Sequence, residues 1–552
     1  MPVIEISLKD LEKLLGVSLN NYDLEELFSY VKAEIDEWSD DKLKLEMKDT
    51  NRPDLWSVEG IARELKGILN IEKGIPKYKI EKGNYEVIVD REVLKIRPYI
   101  ACAVVKSVNL REEGLSSLIQ LQDKVMYTFG RKRRKVAIGT HNFDLIKFPV
   151  YYKAVKPREV KFVPLYETRE MYLDEILKET EKGKEFAWIL EGLDKYPILI
   201  DAKNEVLSFP PIINSNTIGR LTPETRNIFI DVTGTDFDSV LTALNVIVTA
   251  LAERGGKIET VKIIYPDKII ETPILEIKSL EVNIDYLKRL SGLDLSEKEI
   301  IELLERKRFN VEKKDEKLVV KWLNYRNDIF SAQDILEELV IAYGYNKIEP
   351  RIAKIYTIGR ELEIKRFIDL LREIMIGVGA LEIYSPVLSE KRLFEIFGFK
   401  TLEIENPVSE KYNVLRSSIV PQILEFFVYN KKAPLPQEVF EIGEVVIPNE
   451  KIEEKYYLAW GLTDYSVTFT DAKRRLEALF KALGLKYELE HGKKPFLIEG
   501  RTGRIIVEGK EIGYVGEVHP EILEELDLEN PVVVFEIDVN KLFEIYKRKK
   551  LK

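Results

Sequence analysis

An internal repeat constrains the fold of this 552-residue chain more than any other sequence feature. Residues 5–37 align without a gap with residues 281–313, with seven identities in 33 positions. The similarity resumes where residues 52–65 match residues 326–339, with six identities in 14 positions. Each copy predicts a strand, a capped helix, a glycine stop and a second amphipathic helix. The predicted caps and stops are Ser7, Asn283, Gly16 and Gly292.

The regions between and after the two copies have different patterns. Residues 86–272 mix short strands rich in β-branched residues with amphipathic helices, and the last 200 residues predict an antiparallel sheet with flanking helices. We therefore expect an α+β, multidomain protein. The predicted domains are a first module (1–85), a central α+β domain (86–272), a second module (273–350) and a C-terminal sheet domain (351–552).

Composition excludes several classes of protein. Cys102 is the only cysteine, so neither a disulfide framework nor a thiolate zinc site is possible, and any metal must bind to oxygen. Three histidines argue against a histidine-centred catalytic site. No apolar run approaches 18 residues and no signal peptide is apparent, which predicts a soluble, cytoplasmic protein. The net charge of −10 argues against a generally basic nucleic-acid binder but permits local basic patches.

Four acidic residues accompany a helix predicted to begin after residue 330. They are Asp328, Asp334, Glu337 and Glu338. One interpretation is local: Ser331 caps the helix, Asp334 occupies the capping-box position, and acids favour the positive end of the helix dipole. The other is a site for a hard cation, because carboxylate oxygens are its preferred ligands. The spacing alone leaves both interpretations open.

The repeat divides these acids into two pairs. Asp328 and Glu338 have acidic counterparts in the first copy, which predicts a scaffold role as a turn or cap and as a solvated helix position. Those counterparts are Asp54 and Glu64. Asp334 and Glu337 have none, and adding like charges to one helix face is destabilising unless something neutralises them. The cation interpretation therefore rests mainly on this second pair.

Two further segments are rich in candidate binding groups. Residues 131–135 are five consecutive basic residues, which suit either a solvated turn or contact with phosphate. Residues 208–236 are dense in small polar side chains around predicted strands. No Ser–His–Asp arrangement and no Gly-rich phosphate loop can be identified. Any hydrolysis in this region would therefore depend on oriented water rather than on a covalent nucleophile.

Three motifs together resemble the β subunit of phenylalanyl-tRNA synthetase in its archaeal and eukaryotic form. They are "NRPDLWSVEGIAREL", "PPIINSN…TRNIFIDVTGTD" and "YRNDIFSAQDILEELVIAYGYNKIEP". The resemblance implies an α2β2 heterotetramer in which the α subunit attaches phenylalanine to tRNA(Phe) using ATP. It implies that this chain hydrolyses mischarged Tyr-tRNA(Phe), and that its C-terminal domain resembles a class II synthetase core without catalysis.

The C-terminal residues agree with that loss of catalysis. Pro386 matches the proline of the class II interface motif, but neither an "FRxE" arginine nor a "GxGxGxER" motif follows. We therefore place no ATP-binding residue in this chain. It also lacks the inserted oligonucleotide-binding domain and the C-terminal anticodon-binding domain of the bacterial form, so the mode of tRNA recognition stays open.

The resemblance also implies two sets of site residues. A Mg²⁺ ion would be held by Asp328, Asp334, Glu337 and Glu338. An editing pocket would contain Leu199, Ser208, Asn214, Arg220, Asp231 and Thr233. An apolar pocket rejects an added hydroxyl only about 10²-fold, so a second site that pairs the tyrosyl hydroxyl is needed. Asp231 is the candidate acceptor for that hydroxyl, while Ser208 and Thr233 would orient substrate or water.

Two rival functions remain at the level of sequence. A free-standing hydrolase of mischarged tRNA would need no α partner. A non-enzymatic RNA-binding assembly protein, suggested by the repeated modules, would hydrolyse no ester.

Overall fold

The two copies of the repeat fold into matching modules. The structure is a computed structural model that describes residues 2–355 and 357–550. The first copy comprises β1 (Val3–Ser7), α1 (Leu8–Leu15), α2 (Leu24–Ser29), β2 (Ala33–Ser39), β3 (Lys42–Met47) and α3 (Val58–Ile68). Its three strands pair in the order β1-β3-β2. As predicted, the Ser7 hydroxyl accepts a hydrogen bond from the Asp10 N–H (3.1 Å), and Gly16 ends α1 in the left-handed region at φ 76°.

A curled eleven-stranded sheet follows the first module. The next elements are β4 (Ile80–Glu81), β5 (Glu86–Val89), β6 (Tyr99–Lys106), α4 (Arg111–Tyr127), β7 (Val136–Asn142), β8 (Val150–Val155), β9 (Lys161–Phe162), β10 (Met171–Tyr172), α5 (Leu173–Glu179), α6 (Glu181–Phe186), β11 (Tyr196–Ile200), β12 (Val206–Phe209), β13 (Ile213–Asn214), β14 (Ile228–Gly234), α7 (Phe237–Glu253), β15 (Lys257–Ile264) and β16 (Ile269–Thr272). The main path of the sheet is β13-β12-β11-β8-β5-β15-β6-β14-β7, and β4 and β16 also pair with β15.

The two edge strands of this sheet meet. The Asn214 side chain at the end of β13 donates a hydrogen bond to the carbonyl oxygen of Thr140 in β7 (3.3 Å). Alternation along β14 sends Ile230 and Val232 into the core beneath α7, and it sends Asp231 and Thr233 to the opposite face. The curl therefore brings polar groups from both ends of the sheet to one place.

The second copy of the repeat has the same pairing as the first. Its elements are β17 (Ile277–Asn283), α8 (Ile284–Ser291), α9 (Glu297–Arg306), β18 (Asn310–Lys314), β19 (Lys317–Leu323) and α10 (Ala332–Tyr343). The strand order is β17-β19-β18. The Asn283 side chain accepts from the Tyr286 N–H (3.2 Å) and Gly292 ends α8 at φ 66°, so the predicted cap and stop are confirmed. Both modules and the curled sheet belong to one compact unit, Met1–Ile352.

The second unit, Ala353–Lys552, is a mainly antiparallel sheet between helices. Its elements are α11 (Glu363–Gly377), β20 (Leu381–Glu382), β21 (Leu388–Ser389), α12 (Lys391–Ile396), β22 (Leu402–Glu403), β23 (Val414–Leu415), α13 (Val420–Tyr429), β24 (Gln437–Pro448), β25 (Ile452–Thr463), α14 (Phe469–Leu483), β26 (Glu488–His491), β27 (Leu497–Val507), β28 (Lys510–Val518), α15 (Pro520–Glu525), β29 (Val532–Asp538) and α16 (Val539–Lys550). The seven-stranded order is β20-β24-β25-β29-β28-β27-β26. Helices α11, α14 and α16 pack on one face, and α12, α13 and α15 pack on the other.

Across the described residues, no helix combines the length and the apolar character needed to cross a membrane.

Candidate functional site

A cleft of about 580 Å³ lies where the ends of the curled sheet approach each other. Its walls come from α4, β7, β12, β14 and the loop between β13 and β14. Five of the six residues assigned to the pocket line it: Ser208, Asn214, Arg220, Asp231 and Thr233. These residues are separated by up to 25 positions in the chain, and the strand pairing brings them together.

Leu199 is the assigned residue that the structure does not bring to the cleft. It lies opposite Ser208 in the pairing of β11 with β12. Its side chain is wholly buried in the apolar core that also contains Leu207 and Phe229. In this structure Leu199 therefore supports the strand that presents Ser208, rather than lining the cleft itself.

Asp231 is the most constrained polar group on the cleft wall. Its side chain is only 3% exposed, and its Oδ1 lies 2.6 Å from Nε2 of His141 on the neighbouring strand β7. The ring of His141 is wholly buried. His141 was not assigned to this site from the sequence. His141 and Asp231 are 90 residues apart, so no local spacing could have revealed the pair.

Thr233 is held by a buried arginine. Arg97 Nε donates to the Thr233 hydroxyl (2.9 Å), and Arg97 Nη2 donates to the Thr233 carbonyl oxygen (2.6 Å). Burial lowers the pKa of Arg97 to about 10, although nearby Tyr152 and Asp231 oppose the shift. Arg97 thus stays a cation at neutral pH. Because the Thr233 oxygen accepts from Arg97, its own O–H is directed to other acceptors.

Three further polar groups complete the wall. The hydroxyl of Ser208 is buried and has no hydrogen-bond partner within residues 2–355 and 357–550. Gln122 on α4 donates to the Thr140 hydroxyl (2.9 Å). A buried hydroxyl without a partner is costly, so the Ser208 group is suited to a ligand or a bound water. Gln122 and Thr140 both line the cleft and were not predicted.

The basic run 131–135 forms the turn between α4 and β7. Arg131, Lys132 and Arg133 all have positive φ angles, from 50° to 66°. Arg133 points back towards the cleft, where its Nη1 donates to the carbonyl oxygen of Ile212 (2.7 Å). Arg131, Lys132 and Arg134 are exposed. The run is therefore a turn at the rim of the cleft, and its contact with phosphate stays a prediction.

The four acids assigned to magnesium lie elsewhere, between the two repeat modules, and they serve different contacts. Asp334 Oδ2 accepts hydrogen bonds from the N–H groups of Phe330 (2.8 Å) and Ser331 (2.7 Å), as the capping interpretation predicted. Glu337 is 49% exposed and pairs with Lys32 (3.1 Å). Asp328 and Glu338 are buried.

Asp328 and Glu338 belong to a buried charge cluster with four cations and four anions. Its members, each at most 5% exposed, are Arg52, Arg63, Lys307, Arg326, Asp54, Glu64, Asp328 and Glu338. Arg52 donates two hydrogen bonds of 2.9 Å to the Asp54 carboxylate, from Nε and Nη2. In the second copy, Arg326 donates to the Asp328 carboxylate from the same two nitrogens. Lys307 joins the copies by contacting Glu64 (2.6 Å) and Glu338 (3.2 Å). The prediction that Glu338, like its counterpart Glu64, is a solvated helix position is therefore wrong.

This arrangement does not fit a shared magnesium ion. Within the described part of the chain, no group of three or more acidic, histidine or cysteine side chains converges as a metal site would require. Asp328 and Glu338 are already neutralised by arginine and lysine, so a divalent ion would add two positive charges to a balanced, buried cluster. The magnesium site stays a prediction.

Chelation tests directly whether these four acids hold a magnesium ion. Because protein cations already neutralise these carboxylates, EDTA is expected to leave the melting temperature of the purified chain unchanged. The comparison is a thermal melt in EDTA and in millimolar Mg²⁺, repeated with Asp334→Ala. A melting temperature that falls with EDTA in the original chain but not in the variant would instead support the four-carboxylate site.

The charge cluster also predicts an acid dependence of stability. Burial alone would raise the pKa of Asp54, but Arg52, Arg63 and Arg326 lower it to about 2. A carboxyl group with a lower pKa in the folded state binds protons more readily when unfolded. Its stabilising contribution, about 2 kcal/mol, is therefore complete above about pH 4 and is lost as the pH falls towards 2.

Urea titrations at pH 5, 4 and 3 check this expectation. Asp54→Asn should flatten the fall in the free energy of unfolding across that range. Asp267→Asn, at an exposed aspartate, should leave the fall unchanged. Parallel pH curves for Asp54→Asn and the original chain would contradict the prediction.

Comparison with known proteins assigns the chain to a family. A family model described as the phenylalanyl tRNA synthetase beta chain CLM domain matches residues 348–539, and the tRNA synthetase B5 domain model matches residues 280–345. The phenylalanine-tRNA ligase beta subunit of Pyrococcus horikoshii is 46% identical over 555 residues, covering 98% of this chain and 100% of that protein. The chain belongs to the phenylalanine-tRNA ligase beta subunit family. Members of this family are ligase subunits, and the one from Archaeoglobus fulgidus is 40% identical over 551 residues, covering 99% of each protein.

A solved structure shares the N-terminal part of this beta-subunit fold. It is an N-terminal fragment of the phenylalanyl-tRNA synthetase beta subunit from Pyrococcus horikoshii, 50% identical, with a TM-score of 0.61. It covers 62% of this chain, and all of the fragment is matched. The resemblance drawn from the sequence motifs and the α+β multidomain class are confirmed. The four domain boundaries and the roles of individual site residues stay predictions.

Proposed function

We propose that this chain is the β subunit of a cytoplasmic α2β2 phenylalanine-tRNA ligase and that its cleft hydrolyses mischarged Tyr-tRNA(Phe). The observation that supports editing most strongly is the buried, oriented carboxylate of Asp231 on the cleft wall. A desolvated acceptor discriminates strongly in favour of a substrate that brings a hydroxyl, because a substrate without one leaves the acceptor unpaired. Tyrosine has that hydroxyl and phenylalanine lacks it.

The remaining cleft groups suit an ester hydrolysis by water. Water would attack the carbonyl carbon, forming a new C–O bond, and the bond to the ribose oxygen would break. One proton of the water goes to the ribose oxygen and the other is released to solvent, so tyrosine leaves as its carboxylate. The free Ser208 hydroxyl can accept from the water or donate to the substrate, while the Thr233 O–H can donate. No covalent intermediate is needed.

Charging with phenylalanine, using ATP as substrate, is proposed to occur in the α partner. In the C-terminal unit, the two N–H groups on Nη1 of the buried Arg416 are shared among Ser385 Oγ (2.8 Å), Gln422 Oε1 (2.9 Å) and Glu441 Oε1 (2.7 Å). An arginine satisfied in this way stabilises the unit and has no donor left for a phosphate at that nitrogen. This supports a core without its own aminoacylation chemistry.

Reconstitution tests the proposal. The purified chain alone is expected not to attach phenylalanine to tRNA(Phe), whereas the co-purified α–β complex should do so in the presence of ATP. The same complex should deacylate Tyr-tRNA(Phe) much faster than Phe-tRNA(Phe). Charging by the isolated chain would contradict the assignment of aminoacylation to the partner. Full Tyr-tRNA hydrolysis by the chain alone, with no association with an α partner, would favour a free-standing hydrolase, and no hydrolysis at all would favour an assembly protein.

A further inference from the structure

We infer that His141 is a positioning residue that fixes the Asp231 carboxylate for recognition of the tyrosyl hydroxyl; the inference rests on the proposed editing function. The two side chains lie on the same face of neighbouring antiparallel strands. In the register of β7 with β14, His141 lies opposite Phe229 and Gly139 lies opposite Asp231. The contact between His141 and Asp231 is therefore diagonal across the strand pair.

Gly139 makes that diagonal contact possible. A Cβ atom at position 139 would lie 2.4 Å from Asp231 Oδ1 and 2.8 Å from His141 Nε2. Both distances are shorter than side chains tolerate, so any larger residue would push the pair apart. The glycine thus leaves the space through which the imidazole reaches the carboxylate.

The hydrogen-bonding capacity of the two groups sets the direction of the contact. An ionised carboxylate can only accept, so Nε2 of His141 must donate to Oδ1. His141 Nδ1 has no partner among the described residues, and the ring is wholly buried. A proton on Nδ1 would therefore be left unpaired, which favours the tautomer with its proton on Nε2.

This bond leaves one oxygen of Asp231 available. Oδ2 accepts no hydrogen bond from any residue that the structure describes, and Asp231 lines the cleft. With Oδ1 held by the imidazole, rotation of the carboxylate is restricted and Oδ2 keeps one direction. An acceptor of fixed direction selects a phenolic O–H better than one that can turn away to another donor or to water.

The experiment compares two replacements of His141 in the full α–β complex. His141→Phe keeps a buried ring but removes the donor, and His141→Gln keeps an amide donor. We expect His141→Phe to lower kcat/KM for Tyr-tRNA(Phe) deacylation by about 10-fold or more and to leave phenylalanine charging unchanged. His141→Gln should keep most of the original kcat/KM for Tyr-tRNA(Phe) deacylation. His491→Phe, at an exposed histidine, is the matched control and should behave like the original complex.

A double variant shows whether His141 acts through Asp231. If it does, His141→Phe combined with Asp231→Ala should be no slower than Asp231→Ala alone, because the two losses are not additive. Additive losses, or deacylation by His141→Phe at the original rate, would overturn the inference. Thermal melts of each variant show whether a loss of deacylation arises from unfolding. Near-original deacylation by His141→Gln would exclude unfolding as the cause.

A spectroscopic measurement separates this inference from the proposed function. In the full chain labelled with ¹⁵N-histidine, the His141 ring should carry its proton on Nε2, and Asp231→Ala should change that signal. A ring protonated on Nδ1 in the original chain would overturn the inference whatever the enzyme does. Failure of the original complex to deacylate Tyr-tRNA(Phe), with the Nε2 signal intact, would overturn the proposed function and leave the pair established.

Discussion

Replacing Asp231 with alanine is expected to slow deacylation of Tyr-tRNA(Phe) by the assembled complex by about 10-fold to 100-fold. The reason is the loss of one desolvated hydrogen bond to the tyrosyl hydroxyl. Without the carboxylate, that hydroxyl enters the cleft without its acceptor. Phenylalanine charging should stay near its original rate, because the proposed aminoacylation site lies in the partner subunit.

The ratio of two deacylation rates is the most informative measurement. In the original complex Tyr-tRNA(Phe) should be hydrolysed far faster than Phe-tRNA(Phe), and Asp231→Ala should bring the two rates together. Asp231→Asn keeps the size of the side chain and one oxygen, so its ratio of deacylation rates should lie between those of the original complex and of Asp231→Ala. An equal loss of editing and charging would indicate misfolding. An unchanged ratio would show that another group in the cleft pairs the hydroxyl.

Sequence periodicity was sufficient to predict the modules. Ser7 and Gly16 end their helix in the manner that their residue types require, and Asn283 and Gly292 do the same in the second copy. These signals are local, because a cap and its helix lie within a few residues of each other. The α+β character of the central and C-terminal regions follows in the same way from short-range patterns of apolar residues.

The cleft could not be derived from local patterns. Its residues were named through the family resemblance, and what unites them is the approach of β7 to β13 at opposite ends of one sheet. Contacts such as that of His141 with Asp231 depend on strand register and on the space above Gly139. None of these quantities can be obtained from a single sequence without knowing which strands are neighbours.

The buried charge cluster shows a different limit. The repeat placed Asp54 with Asp328 and Glu64 with Glu338, but aligning two copies says nothing of how the copies contact each other. Lys307, which bridges them, aligns with the apolar Val31 of the first copy. A cation that occurs in one copy alone neutralises an acid from each. The same alignment predicted that Glu338 and its counterpart Glu64 are solvated, and it failed because the burial of each depends on the neighbouring module.

Lys307 should therefore be among the most sensitive positions for stability. Its side chain is 1% exposed, and its ammonium group contacts Glu64, Glu338 and the carbonyl oxygen of Tyr30 (2.9 Å). Lys307→Met keeps the length of the side chain but removes its charge. Two carboxylates then remain buried with less compensation, and the free energy of unfolding is expected to fall by about 3–5 kcal/mol.

Lys42→Met is the matched control. Lys42 pairs with Glu5 at the same 2.6 Å separation that joins Lys307 to Glu64, but its side chain is 67% exposed. Water and salt screen an exposed pair, so this change should cost about 0–1 kcal/mol. Equal shifts in the urea midpoints of the two lysine variants would show that burial adds nothing at Lys307 and would contradict the prediction.

A compensating change separates lost charge balance from lost packing. Lys307→Met leaves the cluster with three cations and four anions. Adding Glu64→Gln returns it to three of each, so the double variant should be more stable than Lys307→Met alone. The gain arises because an uncompensated buried charge costs more than the neutral groups that replace a complete pair. If Glu64→Gln lowers stability further, the penalty at Lys307 comes from packing rather than from charge. Urea titrations of the full chain, with all variants at one pH, decide between the two.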